Sequence, residues 1–173
     1  MRSIPIVAVL MLAPFLSSPA SSGSAGGKTP GCQVKLTGAV QSSSGCIVTA
    51  NYYFEGGDLI GGRKNTLVSL VAMGADLPKE LQSVSINLEI PGEPKPGKFG
   101  MQTLPATEGA VVTRENRVFG RLEDVSLELT GAKLVSTAEA PEGFASSRIY
   151  ALRGTLRFTV SDKGGRVTVT SSF

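Results

Sequence analysis

The sequence predicts an all-β chain: a single-domain antiparallel β-sandwich of about eight to ten strands, with a small β-barrel as the alternative architecture. Three observations carry this. Ser83-Val-Ser-Ile-Asn-Leu-Glu-Ile90 alternates strictly between polar and apolar residues, the period of a strand with one dry face. The closing stretch does so twice, with Tyr150, Leu152, Leu156, Phe158 and Val160 on even positions and Val167, Val169 and Phe173 on odd ones. Amphipathic stretches of helical length are absent, and glycine or proline stands at most breaks.

The parity switch at the end of the chain specifies a hairpin. Both apolar sets share a face only if the paired residue numbers sum to an odd number, and pairing Val160 with Val167 then puts Phe158 opposite Val169 and Phe173 opposite Gly154. Phe173 is then expected to be buried at the C-terminus, covering the one glycine of its partner strand. Arg153 and Arg157 fall on the wet face.

Taken in order, residues 1–25 have the charged, apolar and small-residue sequence of a secretory signal peptide. Met1-Arg2-Ser3 precedes an apolar run from Ile4 to Leu16, and cleavage is expected after Ala20 or Ala25. The run is interrupted by Pro5 and Pro14 and is shorter than the ~20 residues that span a bilayer; no later segment is longer. Residues 26–31 read as a flexible leader and residues 32–173 as one β domain. Val34, Leu36 and Val40 define a first strand. Gln41-Ser-Ser-Ser-Gly45 reads as a turn, and Cys46, Val48, Ala50, Tyr52 and Phe54 mark a second strand.

Cys32 and Cys46 in an exported chain predict a disulfide. A tight hairpin at the serine stretch would leave the two cysteines ~26 Å apart along the strand, beyond the ~7 Å that a disulfide allows, so the bond is expected with the first strand short or paired elsewhere. Acylation of Cys32 is the alternative; Thr29-Pro30-Gly31 before it departs from a lipobox, which carries an apolar residue three positions upstream.

Glu55 to Asn65 is a glycine-rich loop. Glu55 and Asp58 could serve there as calcium ligands, but their spacing matches no EF-hand, and a plain surface loop needs no ion. Thr66 to Met73 is a continuous apolar run consistent with a strand buried on both sides, and Asp76 to Leu81 holds one helical turn at most. After the strand ending at Ile90, Pro91-Gly-Glu-Pro-Lys-Pro-Gly97 must carry the chain out of its sheet, because three prolines cannot donate to a ladder. Ala110-Val-Val-Thr113 and Arg117-Val-Phe119 flank a turn. Val125 to Thr130 is a further strand that breaks at Gly131, and Thr137 to Ser147 reads as a loop before the final hairpin.

Composition excludes several functions. There are 17 basic and 14 acidic residues, and no run of Lys and Arg that could track a phosphate backbone, so no nucleic-acid partner is expected. Histidine is absent, which removes Ser-His and Cys-His nucleophile pairs and the usual zinc sites; no metal site and no cofactor is expected. A two-carboxylate hydrolase would have to draw on Glu55, Asp58, Asp76, Glu89 or Asp124, which no motif pairs. The glycine pairs of the loop lack a Gly-Lys-Ser/Thr ending, so they form no phosphate loop. Tryptophan is absent, and Tyr53, on the polar parity of its strand, is the candidate ligand contact.

The ending Arg153-Gly-Thr-Leu-Arg-Phe-Thr-Val160 with Val167-Thr-Val-Thr-Ser-Ser-Phe173 resembles the close of uncharacterised bacterial secreted and lipoprotein β families. That resemblance implies an exported sandwich-like domain and supplies no catalytic residue. The sequence therefore leads to an expectation of a secreted or periplasmic, non-enzymatic binding or structural module. A protein or small-ligand partner would suit it, and a small hydrophobic-ligand carrier is the alternative.

Overall fold

A computed structural model describes residues 31–55, 64–73, 77–104, 107–139 and 146–173; the expected signal peptide, Asp58 and Asp76 lie outside them. The described residues form eleven strands: β1 (Gln33–Gly38), β2 (Ser42–Gly45), β3 (Ile47–Glu55), β4 (Asn65–Met73), β5 (Leu81–Pro91), β6 (Gly97–Gly100), β7 (Thr107–Thr113), β8 (Val118–Phe119), β9 (Arg121–Ala138), β10 (Ser146–Asp162) and β11 (Gly165–Ser172). All pairings are antiparallel, and the chain is all-β as its periodicity requires.

The two long strands β9 and β10 hold the fold together. β9 accompanies β10 from Arg121 opposite Ser161 to Ala138 opposite Ser147. Along its other edge, β10 changes neighbour. Its second half, Thr155–Asp162, pairs with β11, whereas its first half, Ser146–Tyr150, pairs with β3. The lower half of the molecule is thus β2-β1-β11-β10-β9-β6, the upper half β8-β7-β5-β4-β3-β10-β9. Three register shifts along the β9–β10 pair, at Ile149/Tyr150, Arg153/Gly154 and Thr159/Val160, let it twist and bend as it passes from one half to the other.

The halves also meet face to face. A Cβ placed on Gly109 of β7 would touch Ile86 of β5 and Phe158 of β10, so upper and lower strands share one core. Val84, Ile86, Leu88, Val111 and Phe119 from above meet Val125, Leu127, Leu156, Phe158, Val160, Val167 and Val169 from below, all essentially fully buried. Each such Leu, Ile or Phe contributes roughly 1.5–3 kcal/mol relative to exposure. Unlike a sandwich of two separate sheets, these layers are hydrogen-bonded into one sheet through the shared hairpin. β2 and β8 end the strand path without meeting, so the sheet is open and the barrel alternative is not formed.

The terminal hairpin has the register its parity demands: Val160 faces Val167, Phe158 faces Val169, and Phe173 and Gly154 exchange backbone hydrogen bonds of 2.8 and 3.0 Å. Gly154 has a reason the sequence did not reveal. A Cβ there would overlap the Glu128 carbonyl of β9, so close backbone approach, rather than aromatic cover, excludes a side chain. Phe173 is half-buried against the core rather than fully enclosed.

Four other expectations are corrected. The serine stretch is strand β2, not a turn: the hairpin turns at Gly38, whose φ of 103° suits glycine, and Gln33 pairs with Gly45. Moving the turn upstream sets Cys46 beside Cys32, so hairpin and disulfide coexist, with Cα atoms 5.1 Å apart. Second, β4 is buried on one side only. Leu67 and Met73 are exposed on the outer face, which no layer of the described residues covers. Third, Gly131 does not end β9, because pairing with Arg153 carries the strand through it to Ala138. Fourth, the residues up to Ala138 and from Ser146 that read as loop are strand. The proline-rich connector, expected to leave the sheet, leaves only strand β5, taking the chain from the upper half to β6, which pairs with β9 below within the same sheet.

Candidate functional site

The place where β10 exchanges β3 for β11 is also where several chain features converge. Gly45, Gln33, Ser172 and Thr155 share one row of the lower half, and the next residue along, Cys46, is the single step between β2 and β3. The Cys32–Cys46 disulfide fastens that crossing, and the buried Ser171 hydroxyl lies 3.5 Å from the Cys46 sulfur. A thioether to a lipid would need the same Cys32 sulfur that this bond occupies.

Because β11 stops at this level and β3 diverges from it, a cleft of about 630 Å³ opens beside the junction. Gly131, Ala132 and Lys133 of β9, Ala151, Leu152 and Arg153 of β10, and Phe173 line it. The register explains its shape. Ala151 faces Lys133, and Arg153 faces Gly131, so two small and two cationic residues alternate on one face of the strand pair. The small ones leave space on that outer face, while Leu152, 6% exposed, and Phe173 border the cleft from the core-facing side of the strands. Its volume falls within the ~300–1,000 Å³ of small-molecule sites.

A second cluster ties the proline-rich connector to β10. Arg148 and the Tyr150 hydroxyl both donate to Glu93 Oε1, the arginine at 2.9 Å. The Tyr150 hydrogen bond first, and then that of Arg148, hold the Glu93 carboxyl below the usual carboxylate range; burial, and secondarily Glu93, raise the Tyr150 phenol. The Arg148 guanidinium sits 4.5 Å above the ring of Phe54, which stacks on Tyr52 with centroids 6.0 Å apart. Every charge here is matched, which makes the cluster a clamp on the connector.

The sequence-predicted residues are spread apart. Tyr53 is half-buried in β3 opposite Ser147 and does not line the cleft. Glu89 accepts a 2.6 Å hydrogen bond from Asn65 and lines a recess of about 300 Å³ with Glu108, whereas Asp124 lines another, of about 530 Å³, where Arg166 and Glu123 pair at 2.6 Å. The two acids therefore do not face each other across one cleft. Among the described residues no group of three or more Cys, Asp or Glu side chains could hold a metal ion. None of their helices is long and apolar enough to cross a membrane.

The cleft escaped the sequence because it arises where two strand partners are exchanged. Small residues at 131 and 151 carried the only local signal. A scan against protein-family models, a search of curated proteins and a search of solved structures each returned no match to this chain.

Proposed function

We propose that the chain is an exported, non-enzymatic β domain of the bacterial envelope or secretome, secreted or periplasmic, that acts as a binding module through the cleft at the sheet junction. The observation that carries this reading is the cleft itself: a recess of ligand size at the sheet junction, bordered by Gly131 and Ala151 on the outer face and by Leu152 and Phe173 on the core-facing side. Export is supported by the order of residues 1–25 and by the disulfide, which persists in oxidising compartments.

A neutral apolar dye such as Nile red, titrated into the folded protein, tests the binding reading. Saturable fluorescence enhancement is expected, and Ala151→Phe, which puts a ring among the lining residues, should abolish it. Equal enhancement in the variant would overturn the assignment. Intact mass of the exported protein, before and after reduction, tests export: loss of 20 or 25 residues and a gain of two hydrogens on reduction are expected. An acyl chain on Cys32 would convert the assignment to a lipid-anchored one. Hydrolysis of a glycoside or ester panel, lost on replacing a single acid, would refute the non-enzymatic part.

A further inference from the structure

The outer face of the upper half is more apolar than a water-facing sheet requires. Opposed residues of an antiparallel pair share a face, so the registers line up Ser136, Ile149, Asn51, Leu67 and Glu89 in one row across β9, β10, β3, β4 and β5. Met73 and Val118 stand on the same face further along, joined through Ser83 and Val112. Leu67, Ile149, Val118 and Met73 are 37%, 39%, 53% and 63% exposed, and they are four of the seven exposed large apolar side chains among the described residues. A sheet with one wet face ordinarily sets polar residues on it. From Leu67 to Met73 the outer side of β4 carries Leu67, Val71 and Met73 with only Ser69 between them, and this is the run that reads in sequence as a strand buried on both sides. Its composition calls for a second layer above the one beneath it.

The charges on this face are divided by sign. Lys133 and Arg153 stand at the β9–β10 flank, Glu89 and Glu108 at the β5–β7 flank. In the strand order β9-β10-β3-β4-β5-β7, Lys133 on β9 and Glu108 on β7 lie equally far from the middle. We propose that the outer face of the upper half seats a second copy of this chain, packed sheet on sheet about a two-fold axis that runs along the strands between β3 and β4. That operation reverses the lateral order, so the cationic flank of each copy covers the acidic flank of the other, with Lys133 above Glu108 of the second copy and the apolar side of β4 at the seam. Face-to-face sheets pack ~10 Å apart, as the inner faces of a sandwich do. A small apolar ligand or an unrelated protein is the poorer fit, because neither accounts for opposite charges at opposite flanks of one face.

Analytical ultracentrifugation of the disulfide-bonded protein over a range of concentrations is the test, and a monomer–dimer equilibrium is expected. Leu67→Ser with Met73→Ser should weaken association by about tenfold or more, because a two-fold interface uses each residue twice. Both side chains are exposed, and Ser69, Ser83 and Ser85 already occupy this face, so the monomer should keep its fold, as checked by circular dichroism. Glu108→Lys alone should weaken the dimer severalfold, and adding Lys133→Glu should restore it. Recovery in the charge-swapped protein reports the pairing of the two flanks, which a loss of folding would not reproduce. A wild type that stays monomeric at every concentration would hand the face to a different partner and overturn the proposal. So would a dimer indifferent to the two serines, or a loss in Glu108→Lys that Lys133→Glu does not reverse.

Discussion

The two ends of the β9–β10 hairpin are made of the same backbone arrangement and have opposite fates. At the base, Ser126–Leu129 is flanked by β6 and Thr155–Asp162 by β11, and Val125, Leu127 and Phe158 are at most 1% exposed. In the arm, Ala132–Ala138 and Ser146–Tyr150 are flanked only by β3 on the β10 side, and Leu134 and Val135 are 48% and 63% exposed. Hydrogen bonding alone therefore extends the pair; burial against a second layer stabilises it. The difference is testable because a side chain's worth should follow the layer beneath it rather than the ladder it belongs to.

The largest effect belongs at the base. Phe158→Ala removes a ring that touches both halves and should cost about 3–5 kcal/mol, read as a shift in denaturant midpoint at unchanged slope. A loss below about 1 kcal/mol would mean that the layers do not share a core.

Next comes the disulfide at the crossing between halves. Its sequence separation is 14, and closing a loop of ~15 residues is worth about 3 kcal/mol in the chain-entropy account. Replacing both cysteines by serine should lower stability by roughly that amount. If the melting temperature stays the same, the crossing is held by packing alone.

Deleting Ser171 to Phe173 should cost about 1–3 kcal/mol. It removes the two Phe173–Gly154 backbone hydrogen bonds, the buried Ser171 and half-buried apolar surface. The same deletion opens one wall of the cleft, so Nile red enhancement should fall with it. Retained stability with lost binding would separate the two roles of the terminal aromatic.

The same contrast explains what could be read in advance. The register of β10 on β11 was legible down to Phe173 opposite Gly154, because one face is buried and a slip of one residue would expose every apolar side chain. β5 was legible for the same reason. In the arm, Gly131-Ala-Lys-Leu-Val-Ser-Thr-Ala138 shows no alternation, since neither face is deeply buried and nothing selects for one; its strand state comes from pairing with β10. The turn at Gly38 was misplaced because the serines of β2 look like a turn locally and are held extended by β1. The cleft depends on β10 changing partners between Tyr150 and Thr155, a non-local event with no residue pattern of its own.

A smaller effect belongs to the tip of the base. Asp162 accepts hydrogen bonds from Arg117, whose guanidinium lies 4.4 Å from the Phe119 ring centroid, and from the Gly164 N–H at 2.8 Å. The arginine hydrogen bond holds its carboxyl down to about 2. Because the folded value lies below the unfolded one of ~4, this contribution is present above pH ~4 and is lost as pH falls toward 2. Arg117→Gln should flatten stability across that window, as followed by thermal melts between pH 2 and 5. A wild-type profile that is already flat there would show that the pair is solvated away.

The smallest expected change is the sharpest check on the comparison. Val135→Thr in the arm keeps the β-branched shape that suits a strand and exchanges one exposed methyl for a hydroxyl, so stability should move by no more than about 0.5 kcal/mol. The corresponding Val125→Thr at the base introduces a hydroxyl at a position 1% exposed, where an unpaired polar group costs about 1–3 kcal/mol. The same substitution on the same strand should thus differ severalfold in cost. Equal costs would mean that the arm is covered in solution, by a partner or by a second copy, and size-exclusion chromatography of the wild type against Val135→Thr would separate that outcome from an error in the core.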